Sequence, residues 1–188
     1  MSVADAAIIV VNCKAGIEVG TEKAWELCEE YRLPRLIFVT NMDDDQASFR
    51  ELILKLEKRF GRKIAPFQVP IRENEKFVGF VNVVKMGGRR FTNLSDYEEC
   101  EIPEYTKKNL NIVRDALIEA VAETSEEYMD VTSQARNLPR KRFPQLREHV
   151  TEGNIVPVLM GSGVTPRASP TCSRPLTNIS RPRINLSA

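Results

Sequence analysis

The chain has 188 residues, of which 42% are hydrophobic and 28% are charged, a composition typical of globular proteins. The formal net charge of +1 argues neither for nor against a nucleic-acid partner. No apolar run approaches the roughly 20 residues that span a membrane, so we expect no membrane partner. The four cysteines are scattered along the chain, at Cys13, Cys28, Cys100 and Cys172, and His149 is the single histidine. This distribution argues against a metal site. It favours reduced thiols in a cytoplasmic protein.

Three apolar runs rich in Ile and Val, at 6–11, 36–39 and 155–160, predict strands. Their apolarity is continuous rather than alternating, which is typical of strands buried on both faces of a parallel sheet. A helical pattern starts near Thr21 between the first two runs, and Pro34 ends it. The order strand, helix, strand predicts an α/β fold built on a crossover unit.

The long segment between the second and third apolar runs carries its own elements. A helix is predicted after Ser48, which is spaced for a capping box with Glu51, and Gly61 ends this helix. Extended segments at 67–70 and 77–84, a glycine turn at 87–88 and a third helix over 107–128 follow. We therefore interpret residues 44–153 as an α+β subdomain inserted between two strands of the main sheet.

A short polar motif, Thr40-Asn41-Met42-Asp43, follows the second strand. Open parallel sheets bind ligands at the carboxyl ends of their strands, where Asp43 is predicted to lie. A carboxylate there can accept two hydrogen bonds at once from adjacent donors of a ligand. The alternative interpretation is that Asp43 caps a helix or turn within the acidic run 43–45.

The sequence around this motif resembles bacterial elongation factor G, which carries Asn-Lys-x-Asp at this place. The resemblance rests on several segments in the family's order, namely 15–19, 21–25, 33–43 and 77–86. It implies a partial P-loop-GTPase-type parallel sheet formed by residues 1–43 and 154–165, with 44–153 as the inserted subdomain. It also implies GTP or GDP as the ligand and the ribosome as the partner, with a contact to the ribosomal stalk through the insertion and no role for DNA.

The resemblance assigns guanine contacts to five positions, which are Thr40, Asn41, Asp43, Ser162 and Gly163. Thr40 stands where the family has Asn, and Asn41 stands where it has Lys, so we expect weaker bracing of the phosphate loop and weaker stacking on the base. In the family the loop at Ser162 and Gly163 donates a backbone N–H to guanine O6, for which small residues are needed. Taken alone, Gly-Ser-Gly is more often a plain turn.

The phosphate-binding motifs of the family are absent from these 188 residues. There is no Gly-x-x-x-x-Gly-Lys-Ser/Thr, and no Asp-x-x-Gly precedes the first strand, so the Mg²⁺ site is missing too. We therefore expect a fragment of a translocation GTPase with no catalytic residues of its own and weak or absent nucleotide binding. The alternatives are a non-catalytic module that binds the ribosomal stalk and, more remotely, a complete small nucleotide-binding enzyme unrelated to translation.

Two stretches depart from the family in composition. Residues 131–147 contain no acid and are rich in Arg, and residues 166–188 contain four prolines and no acid, which predicts disorder for the second stretch. One hypothesis is that both stretches are translated out of frame, and the other is that they are lineage-specific surface sequence. An intact reading frame across both junctions in the source gene would exclude the first. The strand at 6–11 would also form an open apolar edge, for which we expect self-association.

Overall fold

The computed structural model describes residues 4–74, 76–92, 96–122 and 146–162. Its elements, in chain order, are β1 (Ala7–Asn12), α1 (Val19–Glu30), β2 (Arg35–Thr40), α2 (Phe49–Phe60), β3 (Ile64–Pro66), β4 (Gln68–Glu73), β5 (Lys76–Asn82), β6 (Gly87–Phe91), β7 (Tyr97–Cys100), α3 (Glu104–Ala122), α4 (Leu146–Thr151) and β8 (Val156–Met160). The strands form a parallel sheet in the order β1-β2-β8-β3 and an antiparallel sheet in the order β4-β5-β6-β7. The predicted α/β fold with two distinct strand systems is confirmed.

The parallel sheet brings together strands that are far apart in sequence. β1 pairs with β2 over six residue pairs, from Ala7↔Arg35 to Asn12↔Thr40. β2 pairs with β8 from Ile37↔Val158 to Val39↔Met160. Because all three strands run in the same direction, their carboxyl ends meet at one edge of the sheet. That edge holds the motif at 40–43 and the residues after β8.

The strands β2 and β8 are mostly buried on both faces, as their continuous apolar sequences predict, whereas β1 is covered on one face. On one face Ile37 and Val39 pack with side chains of α1 and α2, including Trp25 and Leu56. On the other face Leu36 packs with the antiparallel sheet and α3, through residues that include Val81 and Leu117. The antiparallel sheet and this second face of the parallel sheet therefore belong to one hydrophobic core.

Part of the segment predicted as an insertion packs with the parallel sheet. Within the range 44–153, α2 packs in the core beneath the parallel sheet, and β3 pairs with β8 as its fourth strand. β3 has three residues and ends at Pro66, too short to show a periodic pattern. The antiparallel sheet begins at β4, and the bounds of the inserted subdomain stay a prediction.

The first strand lies at an edge of the described parallel sheet, as expected. Ile9 and Val11 are buried on the face covered by α1, whereas Ile8 and Val10 on the opposite face are 43% and 60% exposed. Residues 131–145 and 166–188, on which the reading-frame and disorder hypotheses rest, lie outside the described residues. Within the described ranges, no helix combines the length and apolarity that a bilayer crossing requires.

Candidate guanine-recognition site

The motif after β2 forms a tight loop at the carboxyl edge of the parallel sheet. Asn41 adopts a left-handed conformation with φ of 58°, which Asn tolerates better than most residues. The Asp44 N–H then donates to the Asn41 carbonyl at 3.3 Å. Met42 is fully buried and anchors the loop in the core, while Asp43 is only partly buried. The loop thus presents the Asp43 carboxylate at the surface from a fixed base.

A second loop, after β8, is joined to the first by backbone hydrogen bonds. Gly161 N–H donates to the Val39 carbonyl at 2.9 Å, and Met42 N–H donates to the Gly161 carbonyl at 3.4 Å. The Ser162 hydroxyl donates to the Asp43 carboxylate, although the two residues are 119 positions apart in sequence. Ser162 is itself buried. Two of the residues assigned to guanine binding are therefore in direct contact, as the sheet order requires.

This contact orients the carboxylate without consuming its acceptor capacity. A carboxylate has two oxygens with about four acceptor sites, and the Ser162 hydroxyl occupies one of them. The bidentate contact to guanine N1–H and the 2-amino group needs two more. Gly161 and Ser162 carry no large side chain beside Asp43. The predicted guanine contact would lie where the two loops meet.

Comparison with known proteins is consistent with this geometry. The family described as elongation factor Tu GTP binding domain matches residues 1–179 of the chain. The chain belongs to this family of translational GTPases. An elongation factor G-like protein of Thermotoga maritima is 35% identical over 158 residues, which is 84% of this chain and 22% of that protein. A crystal structure of a protein from Thermus thermophilus matches with a TM-score of 0.80 and 28% identity, covering 95% of this chain and 27% of that one.

These matches confirm the resemblance to elongation factor G that the motifs predict, and family membership implies guanine-nucleotide binding. The chain spans 22% of the curated relative and 27% of the solved chain. The chain departs from the family motif at Thr40 and Asn41, and the structure describes both residues. The role of each residue in binding remains a prediction.

Thr40 ties the motif to the first strand rather than facing the Asp43–Ser162 pair. Its hydroxyl donates to the Val11 carbonyl at 3.4 Å, and its own carbonyl accepts from Cys13 N–H at 3.1 Å. Thr40 therefore braces the end of β1. Asn41 is partly buried and forms the left-handed turn. Gly163, the fifth predicted residue, lies outside the described residues.

The turn after β1 supplies a cation beside the recognition loop. Asn12 Oδ1 accepts from the backbone N–H of Lys14 at 2.9 Å and of Ala15 at 3.3 Å, which fixes the turn. Lys14 Nζ then lies 3.5 Å from Asp44 Oδ2. The Gln46 backbone N–H, and secondarily Lys14, hold the pKa of the Asp44 carboxyl below its usual range. Asp44 is thereby bound to the turn after β1 and to its own loop.

Sequence reasoning missed two residues that contact the site from the antiparallel sheet. Arg72 Nη2 donates to the Met42 carbonyl at 2.8 Å and to the Asp44 carbonyl at 3.3 Å. Gln68 Oε1 accepts from Met160 N–H at 3.1 Å, in a fully buried contact. No local sequence signal marks either residue, because each contact spans many positions along the chain. In the described ranges, no group of three or more Asp, Glu, His or Cys is arranged to hold a metal ion.

Proposed function

We propose that this chain carries the guanine-recognition part of a translational GTPase of the elongation factor G type, acting in the cytoplasm on the ribosome. The observation that carries the proposal is the Ser162 hydroxyl on the Asp43 carboxylate, at the joined carboxyl ends of β2 and β8. Asp43 would accept from N1–H and the 2-amino group, and the loop at Gly161, Ser162 and Gly163 would face guanine O6. Thr40 and Asn41 would shape the loop and contribute less to the base than the family's residues do.

A change of base preference tests this assignment. Asp43→Asn replaces one acceptor by an N–H donor, which suits the 2-oxygen of xanthine and opposes the 2-amino group of guanine. We expect GMP affinity to fall about tenfold or more, as for loss of a charge-assisted hydrogen bond, while XMP affinity rises. Titrations of the 188-residue chain followed by NMR measure both. Asp45→Asn, an equal charge change at an exposed neighbour, is the matched control and should leave both affinities unchanged.

We also propose that the 188-residue chain does not hydrolyse GTP by itself and binds nucleotide weakly. Phosphoryl transfer depends on groups that hold the phosphates and Mg²⁺, and the sequence contains neither Gly-x-x-x-x-Gly-Lys-Ser/Thr nor a switch Asp-x-x-Gly before β1. The chain would then be a fragment of a translocation factor. The test is phosphate release from GTP and Mg²⁺ by the purified chain. A rate above that of buffer, abolished by Asp43→Ala, would contradict the proposal.

A second candidate function is a non-catalytic contact with the ribosomal stalk. The observation that favours it is the exposure of large apolar side chains on α3, at Tyr105 and Ile112, beside the antiparallel sheet. Binding of purified stalk protein in the absence of nucleotide, weakened by Ile112→Asp, would support it. Val19→Asp, at an exposed apolar position on α1, is the matched control. Equal binding by both variants would argue against this surface.

A further inference from the structure

Strand β4 contacts both loops of the guanine site, although it belongs to the antiparallel sheet. Near its start, the buried Gln68 side chain accepts from Met160 N–H at 3.1 Å, just before the Gly161–Ser162 loop. Near its end, the Arg72 guanidinium donates to the carbonyls of Met42 and Asp44. One strand therefore has a polar side chain on each of the two loops that meet at Asp43.

The strand geometry explains how both contacts are made at once. Gln68 and Arg72 are four residues apart, so their side chains leave the same face of the strand, about 13 Å apart along it. Val69 and Ile71, on the opposite face, are buried in the core shared with α3. The ladder with β5 changes register between Ile71 and Arg72, where Val78 of β5 is the extra residue, so β4 itself keeps its regular alternation.

The contacts of Arg72 are placed to control Asp43. The two carbonyls that accept from Arg72 belong to the residues immediately before and after Asp43. The Met42 carbonyl lies in the peptide group that joins Met42 to Asp43, and the Asp44 carbonyl lies in the peptide group that follows Asp44, so the two bonds restrain the backbone before and after Asp43. The neighbouring Asn41 is in the left-handed region, so the loop gains little stability from its own backbone conformation. A cationic donor on two carbonyls is a strong and directional restraint on such a loop.

We propose that Arg72 is a positioning residue for guanine recognition. Gln68, on the same strand, fixes the start of the second loop through its bond to Met160 N–H. This inference rests on the proposed guanine-binding function and extends it to a sheet that makes no contact with the base. Arg72 acts through the backbone around Asp43, so its loss weakens the contact of Asp43 with the 2-amino group more than it weakens general binding. The antiparallel sheet then sets the selectivity of the site.

The experiment compares GMP with IMP, which lacks the 2-amino group that Asp43 reads. The measured quantity is the ratio of the two dissociation constants, obtained by NMR titration of the 188-residue chain. This ratio does not depend on the folded fraction, because both ligands bind the same folded molecules. We expect a ratio of about ten or more for the parent chain and below about three for Arg72→Ala. Arg72→Lys, which retains one cationic donor, should restore part of the selectivity.

A matched control removes an arginine from the same sheet. The guanidinium of Arg89 lies 4.4 Å from the centroid of the Tyr97 ring, and Arg89→Ala should keep the parent ratio. If Asp43→Ala abolishes the selectivity and Arg72→Ala leaves it intact, the positioning role is refuted and the proposed function stands. If Asp43→Ala also leaves the selectivity intact, the proposed function itself fails.

A second measurement needs no nucleotide. The amides of Met42 and Asp44 donate within the recognition site, to Gly161 and Asn41 respectively, so their hydrogen exchange reports on loop order. Arg72→Ala should accelerate exchange at these two amides relative to Arg89→Ala, with both variants compared at equal global stability. Equal exchange in the two variants would overturn the proposal even if the chain bound no nucleotide at all.

Discussion

A buried arginine at the start of β2 yields a sharp stability prediction. The Arg35 side chain is 3% exposed, its guanidinium lies 3.9 Å from the centroid of the Trp25 ring, and it pairs with the Glu29 carboxylate. Glu29 is 47% exposed, and Lys63 Nζ lies 3.8 Å from the same oxygen. We expect Glu29→Gln to destabilise the chain, because it leaves a buried guanidinium without its counter-charge.

The magnitude follows from the exposure of the two partners. Unit charges about 4 Å apart interact by about 1 kcal/mol in water and about 4 kcal/mol at the effective dielectric of a protein surface. Since Glu29 is half exposed and Arg35 is not, solvent screens the pair in part, and we expect a loss of about 2 kcal/mol in the free energy of unfolding. For a chain of this length that corresponds to a fall of about 4–8 °C in Tm.

The assay is denaturant unfolding followed by the fluorescence of Trp25, the single tryptophan of the chain. Trp25 stacks on Phe60 with ring centroids 4.2 Å apart, so its emission reports on this cluster directly. Glu30→Gln makes the same charge change at an exposed neighbour and should alter stability by less than about 0.5 kcal/mol. Equal effects at the two positions would refute the reasoning. Adding Arg35→Met to Glu29→Gln should recover stability, because it removes the uncompensated charge.

Three further predictions concern other parts of the chain. Burial raises the pKa of the Cys13 thiol from 9.0 to about 11, so the folded state holds this proton more tightly than the unfolded state does. The free energy of unfolding should therefore fall between pH 9 and 11, by at most about 1.4 kcal/mol per pH unit. Unfolding titrations should show a smaller slope in Cys13→Ala, and an unchanged slope would contradict the prediction. Val10→Lys should lower self-association in sedimentation velocity by placing a charge on the open sheet edge, whereas Leu54→Lys, at a similarly exposed apolar residue on α2, should not. Gly79→Ala should lower the free energy of unfolding in urea by about 3 kcal/mol, because the added Cβ would lie 2.2 Å from a backbone oxygen of β6. Gly87→Ala places its Cβ in open space and should leave the free energy of unfolding nearly unchanged.

The parts of the fold that sequence could predict are those with a local physical signature. The apolar runs at β2 and β8 are continuous because both faces of the sheet are covered there, and that pattern identifies them without any partner being known. β1 has the same pattern, although one of its faces is exposed. The start of α2 was also predictable, since the Ser48 hydroxyl accepts from Glu51 N–H at 3.4 Å, one half of the predicted capping box. The short β3 carries no such signature, so its place as a strand of the parallel sheet could not be predicted.

In the recognition site, too, some contacts could be predicted from the sequence and others could not. The proximity of Asp43 and Ser162 follows from strand direction alone, because residues after two adjacent parallel strands must lie at the same edge. The contacts of Gln68 and Arg72 depend instead on how the antiparallel sheet docks on the parallel one, and no pattern within β4 encodes that packing. Arg72 lies beyond the extended segment predicted at 67–70, and nothing in the sequence indicates its hydrogen bond to the Met42 carbonyl.

This division bears on how base recognition can be altered in such a domain. A carboxylate distinguishes guanine better when its direction is fixed before the base arrives, because ordering a mobile side chain on binding costs part of the free energy of the contact. In this chain the hydroxyl of Ser162 holds the carboxylate of Asp43 directly, and Arg72 holds the backbone on either side of it. The first restraint comes from the parallel sheet and the second from the antiparallel sheet. A change in the packing of the two sheets would therefore act on the proposed base contact through Arg72, by shifting the backbone that carries Asp43, without a substitution at any predicted guanine-binding residue.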